Sequence, residues 1–266
     1  MNLPNFPIES DPGPDFAELV RRHGSNPLPA PVSGSTDQIT HGTTCVAVRY
    51  VDGVVMAGDR RATSGNLISH RSIEKVFAAD NYSVVAIAGA AGPAVEMVRL
   101  FQLQLEHYEK VEGSHLSLEG KANQLSQMLR SNLPAAMSGL AVVPIFAGYD
   151  LARETGRLFE FDITGGRYEE SDYAATGSGS LHGETVIKVG YKRDMSKDEA
   201  VDLLVESLFQ AADADSATGG ADSLRGIYPI VATVSAQGFE RIDDDDIAAR
   251  FEAIAQRFSA NHREVS

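Results

Sequence analysis

Short apolar runs separated by polar turns occupy the chain after residue 43, and this pattern predicts two β-hairpins. The paired runs, rich in β-branched and apolar residues, are 44–51 with 54–59 and 75–79 with 82–88. Asp52-Gly53 joins the first pair and Asp80-Asn81 the second. Asp-Gly is the strongest short-range hairpin signal, because a type I′ turn needs φ > 0 at both positions. Apolar residues occupy both parities of the first hairpin, so we expect its sheet to be covered on both faces.

Apolar residues at helical spacing follow the hairpins and predict five helices. Their expected extents are 93–110, 117–133, 180–191, a segment opening at Ser196 and a last one opening at Asp243. Ser196 and Glu199 have the spacing of a capping box. The carboxylates of 243–246 suit a helix N-terminus, where the helix dipole is positive.

Further strands are predicted over 141–147, 158–163, 173–176 and 228–235. The order is therefore hairpins, two helices, strands, two helices, strand and helix. Such an order is typical of a layered α+β fold with helices on both sides of antiparallel sheets. The sequence shows no internal repeat and no second domain boundary.

The first 42 residues differ in composition from the rest of the chain, because seven of the eleven prolines lie before residue 32. Proline fixes φ and lacks an N–H donor, so this segment cannot form regular sheet and holds at most one short helix near 16–22. Two interpretations stay open, a disordered tail or a removable leader. Composition alone favours the tail.

Composition excludes several classes of protein. A hydrophobic share of 43% rules out a wholly disordered chain, and 266 residues allow one large domain or two small ones. A net charge of −14 repels phosphate backbones, which argues against nucleic acid as the main partner. The single cysteine, Cys45, excludes a disulfide framework and a cysteine-based structural zinc site. No apolar stretch reaches the roughly 18 residues that span a bilayer, so we expect a soluble, cytoplasmic protein without membrane contact.

The usual sequence motifs for nucleotide, serine-hydrolase and zinc chemistry are absent. His41-Gly42-Thr43-Thr44 lies where the proline-rich segment ends and the apolar strands begin. A threonine hydroxyl is a poor nucleophile until a base removes its proton, and a free α-amine with a pKa of about 8 is one such base. Cleavage between Gly42 and Thr43 would create both groups on one residue. The simpler interpretation, favoured by this dipeptide alone, is that Thr43 merely begins a strand.

Hairpin geometry brings charged side chains toward Thr43. An ideal two-residue turn at Asp52-Gly53 places Thr44 opposite Arg61, so Asp59 and Arg61 approach Thr43 across the open end of the hairpin. It likewise places Val46 opposite Asp59. A slip of one residue would change the facing, so this register stays open.

The second hairpin adds Lys75, which we expect opposite Ala86 at the open end near Gly89. A lysine at a strand end is usually a solvated edge charge. Buried between sheets beside Asp59, it would instead lower the pKa of the Thr43 hydroxyl. The N–H of Gly89 suits an oxyanion, although the run 88–92 also reads as a plain turn of small residues before a helix.

At these residues the sequence closely resembles a β subunit of the 20S proteasome, most of all the bacterial kind with a single catalytic β type. The resemblance covers Thr43 to about residue 240. The matching segments, in chain order, are Gly42-Thr43-Thr44, 53–61 (GVVMAGDRR), Lys75-Val76, Ile87-Ala88-Gly89, 105–110 (LEHYEK), 147–150 (AGYD), 176–180 (TGSGS) and 215–220 (DSATGG). The proline-rich segment matches only in being a propeptide of variable sequence.

The resemblance implies a four-layer αββα sandwich, the fold of the N-terminal nucleophile hydrolases, and a threonine endopeptidase. Residues 1–42 would be a propeptide removed autocatalytically at Gly42–Thr43, and 43–266 the mature catalytic domain. Thr43 would be the nucleophile, tuned by Lys75, which Asp59 orients. The N–H of Gly89 would stabilise the oxyanion.

By the same resemblance, a supporting network surrounds the free amine of Thr43. Its members would be Ser178, Asp215 and Thr218, and Arg61 is placed with the catalytic set. Many relatives carry serine where Thr218 stands, and threonine keeps the hydroxyl but adds a methyl group.

The primary substrate pocket would be lined by Ala62, Ile73, Ile87 and Ala91, with Ile87 as its floor. All four are uncharged. They predict cleavage after large apolar residues, the chymotrypsin-like preference.

The implied assembly is four stacked heptameric rings, with two β rings inside and α rings outside. A ring ATPase would feed unfolded substrates, and peptide cleavage would need no metal or other cofactor. One alternative is the simpler two-ring, HslV-like threonine protease, against which the long leader and the extra C-terminal helix argue. The other is a non-catalytic β subunit that only builds the ring, against which the presence of Thr43, Asp59 and Lys75 argues.

Overall fold

The computed structural model describes residues 42–65 and 67–264. The predicted tail or leader, apart from Gly42, and the short helix expected near 16–22 lie outside the described residues. The described strands are β1 (Thr44–Tyr50), β2 (Gly53–Gly58), β3 (Ala62–Ser64), β4 (Leu67–His70), β5 (Val76–Asp80), β6 (Ser83–Gly89), β7 (Val142–Asp150), β8 (Thr155–Phe161), β9 (Arg167–Glu170), β10 (Tyr173–Gly177), β11 (Ile230–Ser235) and β12 (Gly238–Arg241). The helices are α1 (Ala91–Glu112), α2 (Leu118–Ser131), α3 (Leu133–Met137), α4 (Ser180–Gly190), α5 (Lys197–Ala214) and α6 (Asp244–Glu264).

Two five-stranded sheets form the centre of the fold. The first has the strand order β10-β1-β2-β11-β12 and the second β5-β6-β7-β8-β9, and every pairing is antiparallel. Helices α4 and α5 pack on the first sheet, whereas α1 and α2 pack on the second. The α+β prediction, with helices on both sides of antiparallel sheets, is confirmed.

Three apolar cores separate the four layers. Val46 and Val48 of β1 contribute to a core with α5, whereas Cys45 and Ala47 contribute to the core between the sheets. The third core lies between the second sheet and helices α1 and α2. Because successive strand residues point to opposite faces, apolar residues at both parities are what a sheet buried on both sides requires. The expectation of a doubly covered sheet is therefore confirmed.

The predicted register of the first hairpin is wrong by two residues. Tyr50 pairs with Gly53 and Val46 with Ala57, so the turn is Val51-Asp52 and Val46 does not face Asp59. The reason is that Gly53 is the first residue of β2, where it packs closely against β11, and is not part of the turn. A Cβ there would lie 2.1 Å from the carbonyl oxygen of Val234 in β11.

The register of the second hairpin is wrong by one residue. Val76 rather than Lys75 pairs with Ala86, and the N–H of Ile87 donates to the carbonyl of Lys75 (3.0 Å). Asp80 pairs with Ser83, so the turn is Asn81-Tyr82 rather than Asp80-Asn81, and a register shift between Ala78 and Asp80 reduces the resulting offset from two residues to one. Such a bulge places one extra residue on one strand and displaces everything beyond it.

Five short elements were not predicted from the sequence: β3, β4, β9, β12 and α3. Each has three to five residues, too few for a periodicity to show. All four residues of β4 are exposed, so its composition carries no alternation of apolar and polar positions. The longer predicted helices are confirmed, including the capping box of Ser196 and Glu199 at the start of α5. Within the described ranges no helix is long and apolar enough to cross a bilayer.

Candidate active site

The ends of several strands meet at one edge of the sandwich, and Thr43 lies there, directly before β1. It is buried, with 4% of its surface exposed. Its hydroxyl donates to the carbonyl oxygen of Gly42 (2.8 Å), to which it is still joined. Its own carbonyl accepts from the N–H of Ser178 (2.8 Å), which fixes the start of β1 against the segment that follows β10.

A buried ion pair lies beside Thr43. Lys75 Nζ is 2.6 Å from Asp59 Oδ1, and the two residues are 4% and 0% exposed. Nζ also donates to the carbonyls of Arg61 (2.6 Å) and Gly42 (3.3 Å). An ammonium has three N–H donors, so these partners use its full capacity. Lys75 is therefore a buried, paired cation and not a solvated edge charge, while its effect on the pKa of the Thr43 hydroxyl stays a prediction.

Backbone donors hold the carboxylate of Asp59 in place. Oδ1 accepts from the N–H of Thr44 (2.8 Å), and Oδ2 accepts from those of Arg61 (2.9 Å) and Gly219 (2.8 Å). A buried carboxylate needs such partners, because an unpaired one is costly. Asp59 thereby links β1, β2 and the segment after α5.

A second polar cluster lies near Thr43 and centres on Asp215, which follows α5. Its Oδ2 accepts from the hydroxyls of Ser178 (2.6 Å) and Thr218 (2.6 Å), and its Oδ1 from the N–H of Ala217 (3.1 Å). Burial alone would raise the pKa of Asp215, but these hydrogen bonds outweigh it and hold the pKa below its usual value. Ser178 Oγ lies 3.4 Å from the backbone nitrogen of Thr43.

The guanidinium of Arg61 braces this cluster rather than Thr43. Nη1 donates to the carbonyls of Ser216 (3.0 Å) and Thr218 (3.1 Å). The parts of Arg61 that reach the ion pair are its backbone N–H and carbonyl.

The four residues predicted for the substrate pocket line one cavity, together with Thr43 and Gly89. These four are Ala62, Ile73, Ile87 and Ala91. The cavity volume is about 20 Å³, room for about one water molecule. Glu74 and Lys75 also line it, but the carboxylate of Glu74 pairs with Arg241 (2.8 Å) and the ammonium of Lys75 with Asp59 (2.6 Å).

Gly89 ends β6 with φ +109°, a conformation that side chains rarely adopt. A Cβ there would lie 2.1 Å from the carbonyl oxygen of Ala141. Only glycine fits this position, and the structure places it beside Thr43 as the sequence analysis expected.

Two buried threonines to which the sequence pattern assigned no role also belong to the site. Thr63 Oγ1 accepts from the N–H of Gly42 (3.0 Å) and so holds the last residue of the predicted propeptide. Thr44 Oγ1 lies 2.5 Å from Thr218 Oγ1 and accepts from the N–H of Gly179 (3.0 Å). No local pattern distinguishes either one from an ordinary strand threonine.

The family of the chain follows from comparison with known protein families. The sequence model of the family described as "Proteasome subunit" matches residues 39–225, well over half of the chain. The chain belongs to the proteasome subunit family. The match begins just before Thr43 and includes every residue of the polar clusters described above.

Individual proteasome subunits agree with this assignment over nearly the whole chain. The "Proteasome subunit beta" of Acidimicrobium ferrooxidans is 56% identical over 98% of this chain and 95% of its own length. That of Streptomyces griseus is 56% identical over 88% of this chain and 83% of its own. That of Acidothermus cellulolyticus is 52% identical, with 92% and 88% covered.

The resemblance to a bacterial-type proteasome β subunit is thus confirmed, and with it a threonine-type endopeptidase of the proteasome core. The names of these relatives favour the proteasome over the two-ring, HslV-like alternative.

Proposed function

We propose that Thr43 is the N-terminal nucleophile of this endopeptidase and that cleavage of the Gly42–Thr43 bond releases it. The observation that carries the proposal is the buried Asp59–Lys75 pair, whose ammonium reaches the carbonyl of Gly42 at 3.3 Å. A cation beside a carbonyl oxygen stabilises the negative charge that develops there during nucleophilic attack.

The same groups supply the steps of propeptide removal. The hydroxyl oxygen of Thr43 bonds to the carbonyl carbon of Gly42, and the C–N bond to Thr43 breaks. The hydroxyl proton passes to the departing nitrogen. The product is an ester between Gly42 and the Thr43 side chain, which water then hydrolyses. The products are the carboxylate of Gly42 and a Thr43 with a free amine and a free hydroxyl.

Loss of Gly42 prepares the site for peptide substrates. One N–H of Lys75 loses its partner and becomes available to the Thr43 hydroxyl, whose pKa a nearby cation lowers. The hydroxyl of Ser178 donates its hydrogen bond to Asp215, so a lone pair of Ser178 Oγ accepts from the new amine. The amine keeps its lone pair for the hydroxyl proton and acts as the general base. The N–H of Gly89 is proposed to bind the oxyanion of the substrate.

Replacing Gly42 by alanine is expected to slow propeptide removal by at least about tenfold, because misplacement of the reacting carbonyl by an ångström is costly. A Cβ at this position would lie 2.2 Å from Ala217 Cβ and 2.4 Å from its carbonyl oxygen. The measurement is a time course of propeptide loss by mass spectrometry. Residue 42 is absent from the mature chain, so protein that has matured should turn over peptide at the wild-type rate. A slower mature enzyme would contradict the explanation.

The apolar pocket predicts cleavage after leucine, phenylalanine or tyrosine rather than after aspartate or glutamate. The ammonium of Lys75 at this cavity is already paired with Asp59, so burying a carboxylate there costs several kcal/mol without a free cation, whereas an apolar side chain gains about 1.5–3 kcal/mol. The cavity has room for about one water, so the lining side chains must move apart to admit such a residue. Fluorogenic peptides that differ only at the residue before the cleaved bond test this. Faster cleavage after aspartate than after leucine would refute the pocket assignment and leave the role of Thr43 untouched.

We further propose the assembly that the family implies, two inner β rings of seven subunits between two α rings, in the cytoplasm. A ring ATPase would deliver unfolded proteins to the chamber, and cleavage itself would need no cofactor. Co-expression of this chain with its α subunit, followed by native mass spectrometry and electron microscopy, tests the assembly. A particle without sevenfold rings would refute it.

A further inference from the structure

Thr44 is fully buried and touches both polar clusters of the site. Its backbone N–H donates to Asp59 Oδ1 (2.8 Å), on the side of the ion pair. Its hydroxyl lies 2.5 Å from Thr218 Oγ1, on the side of Asp215, and accepts from the N–H of Gly179 (3.0 Å). One residue next to the nucleophile therefore hydrogen-bonds to members of both clusters.

The hydrogen bonds around Thr44 run in one direction only. Asp215 accepts from two hydroxyls and one backbone N–H, so it is an acceptor and Thr218 must donate to it. A hydroxyl has a single proton, and that of Thr218 is thereby used. The contact between the two threonines then needs the proton of Thr44, whose lone pair receives the N–H of Gly179. The sequence of donors is Gly179, Thr44, Thr218 and Asp215.

The absence of a side chain at Gly179 leaves the space that the hydroxyls of Thr44 and Thr218 occupy. A Cβ at position 179 would lie 2.4 Å from Thr44 Oγ1 and 2.5 Å from Thr218 Oγ1. Any side chain at Gly179 would therefore push the two hydroxyls out of their positions.

We propose that Thr44 is a positioning residue for the reaction of Thr43, acting through a hydroxyl relay that orients Thr218 and Asp215. The inference rests on the proposed function, since Asp215 in turn holds Ser178 beside the amine of Thr43. Hydrogen bonds in a chain strengthen one another in a low-dielectric interior, so a donor at one end affects the acceptor at the other.

A purely structural role for Thr44 makes the opposite prediction about substitutions. Valine has the shape of threonine but no hydroxyl, whereas serine keeps the hydroxyl and loses the methyl group. If Thr44 only fills space, Thr44→Val is harmless and Thr44→Ser is the damaging change. If the relay matters, the order is reversed.

The test compares Thr44→Val, Thr44→Ser and the wild type as full-length chains assembled with the α subunit. We expect Thr44→Val to lower kcat for a fluorogenic peptide about tenfold with KM within about twofold, because the buried hydrogen bonds of the Thr44 hydroxyl to Thr218 and Gly179 are both lost. Thr44→Ser should stay within about threefold of the wild type. Wild-type turnover by Thr44→Val, or a lower kcat for Thr44→Ser than for Thr44→Val, would overturn the proposal.

A second pair of variants keeps the test decisive if Thr44→Val assembles poorly. Thr218→Val interrupts the same relay from its acceptor end and should lower kcat at unchanged KM, and wild-type turnover by it would overturn the proposal. In the Thr218→Val background, Thr44→Val should cost less than about twofold further, because coupled residues are not additive. A full additional loss would show that the two hydroxyls act independently and would refute the relay. If Thr43→Ala is inactive while both of these variants are normal, the relay fails and the proposed function stands.

Discussion

Replacement of Thr43 by alanine is expected to abolish peptide hydrolysis and to leave residues 1–42 attached. One hydroxyl performs both reactions, so its removal stops both at once. Loss of a nucleophile lowers turnover by at least about a thousandfold. The measurements are the mass of the purified chain and the rate of hydrolysis of a fluorogenic peptide by the assembled particle.

Thr43→Ser is the matched control, because serine keeps the hydroxyl and the chemistry while losing only the methyl group. It should lose its propeptide and retain measurable hydrolysis. A chain that begins at Thr43→Ala, with the propeptide already omitted, separates the two reactions. Hydrolysis by that chain at close to the wild-type rate would exclude Thr43 as the nucleophile.

The sequence placed Thr43, Asp59 and Lys75 at the open ends of two predicted hairpins, and the family resemblance joined them in one site, although the register of both hairpins was wrong. The reason is that all three lie just beyond the ends of strands, so a shift of one or two residues still leaves them at the same edge. Register depends on tertiary packing instead. Gly53 fits against β11, which is distant in the sequence, and no local pattern reveals that contact.

Thr44 and Thr63 show where sequence reasoning ends. The hydrogen bond between Gly179 and Thr44 joins residues 135 positions apart, and the one between Gly42 and Thr63 depends on a three-residue strand. Threonine is common in strands for reasons of propensity, so its presence there carries no signal of its own. Only the three-dimensional arrangement distinguishes a hydroxyl that positions a reacting group from one that does not.

Replacement of Lys75 by methionine is expected to stop propeptide removal and hydrolysis, and also to destabilise the fold. A lysine at a strand end ordinarily contributes little to stability, but Lys75 is 4% exposed and pairs with a fully buried Asp59. Removing one partner leaves an uncompensated buried charge, which costs about 3–5 kcal/mol. Thermal unfolding of the full chain should therefore show a lower midpoint than that of the wild type.

The double variant Lys75→Met/Asp59→Asn separates the two consequences of losing the ion pair. Asparagine carries no charge, and its one acceptor oxygen can keep the N–H groups of Arg61 and Gly219 at the expense of that of Thr44, so part of the lost stability should return. Activity should not return, because no cation remains beside Thr43 and the carbonyl of Gly42. A stable double variant that removes its own propeptide at the wild-type rate would show that the ion pair serves the fold alone. A stable but unprocessed one would show that the charge of Lys75 is needed for the chemistry.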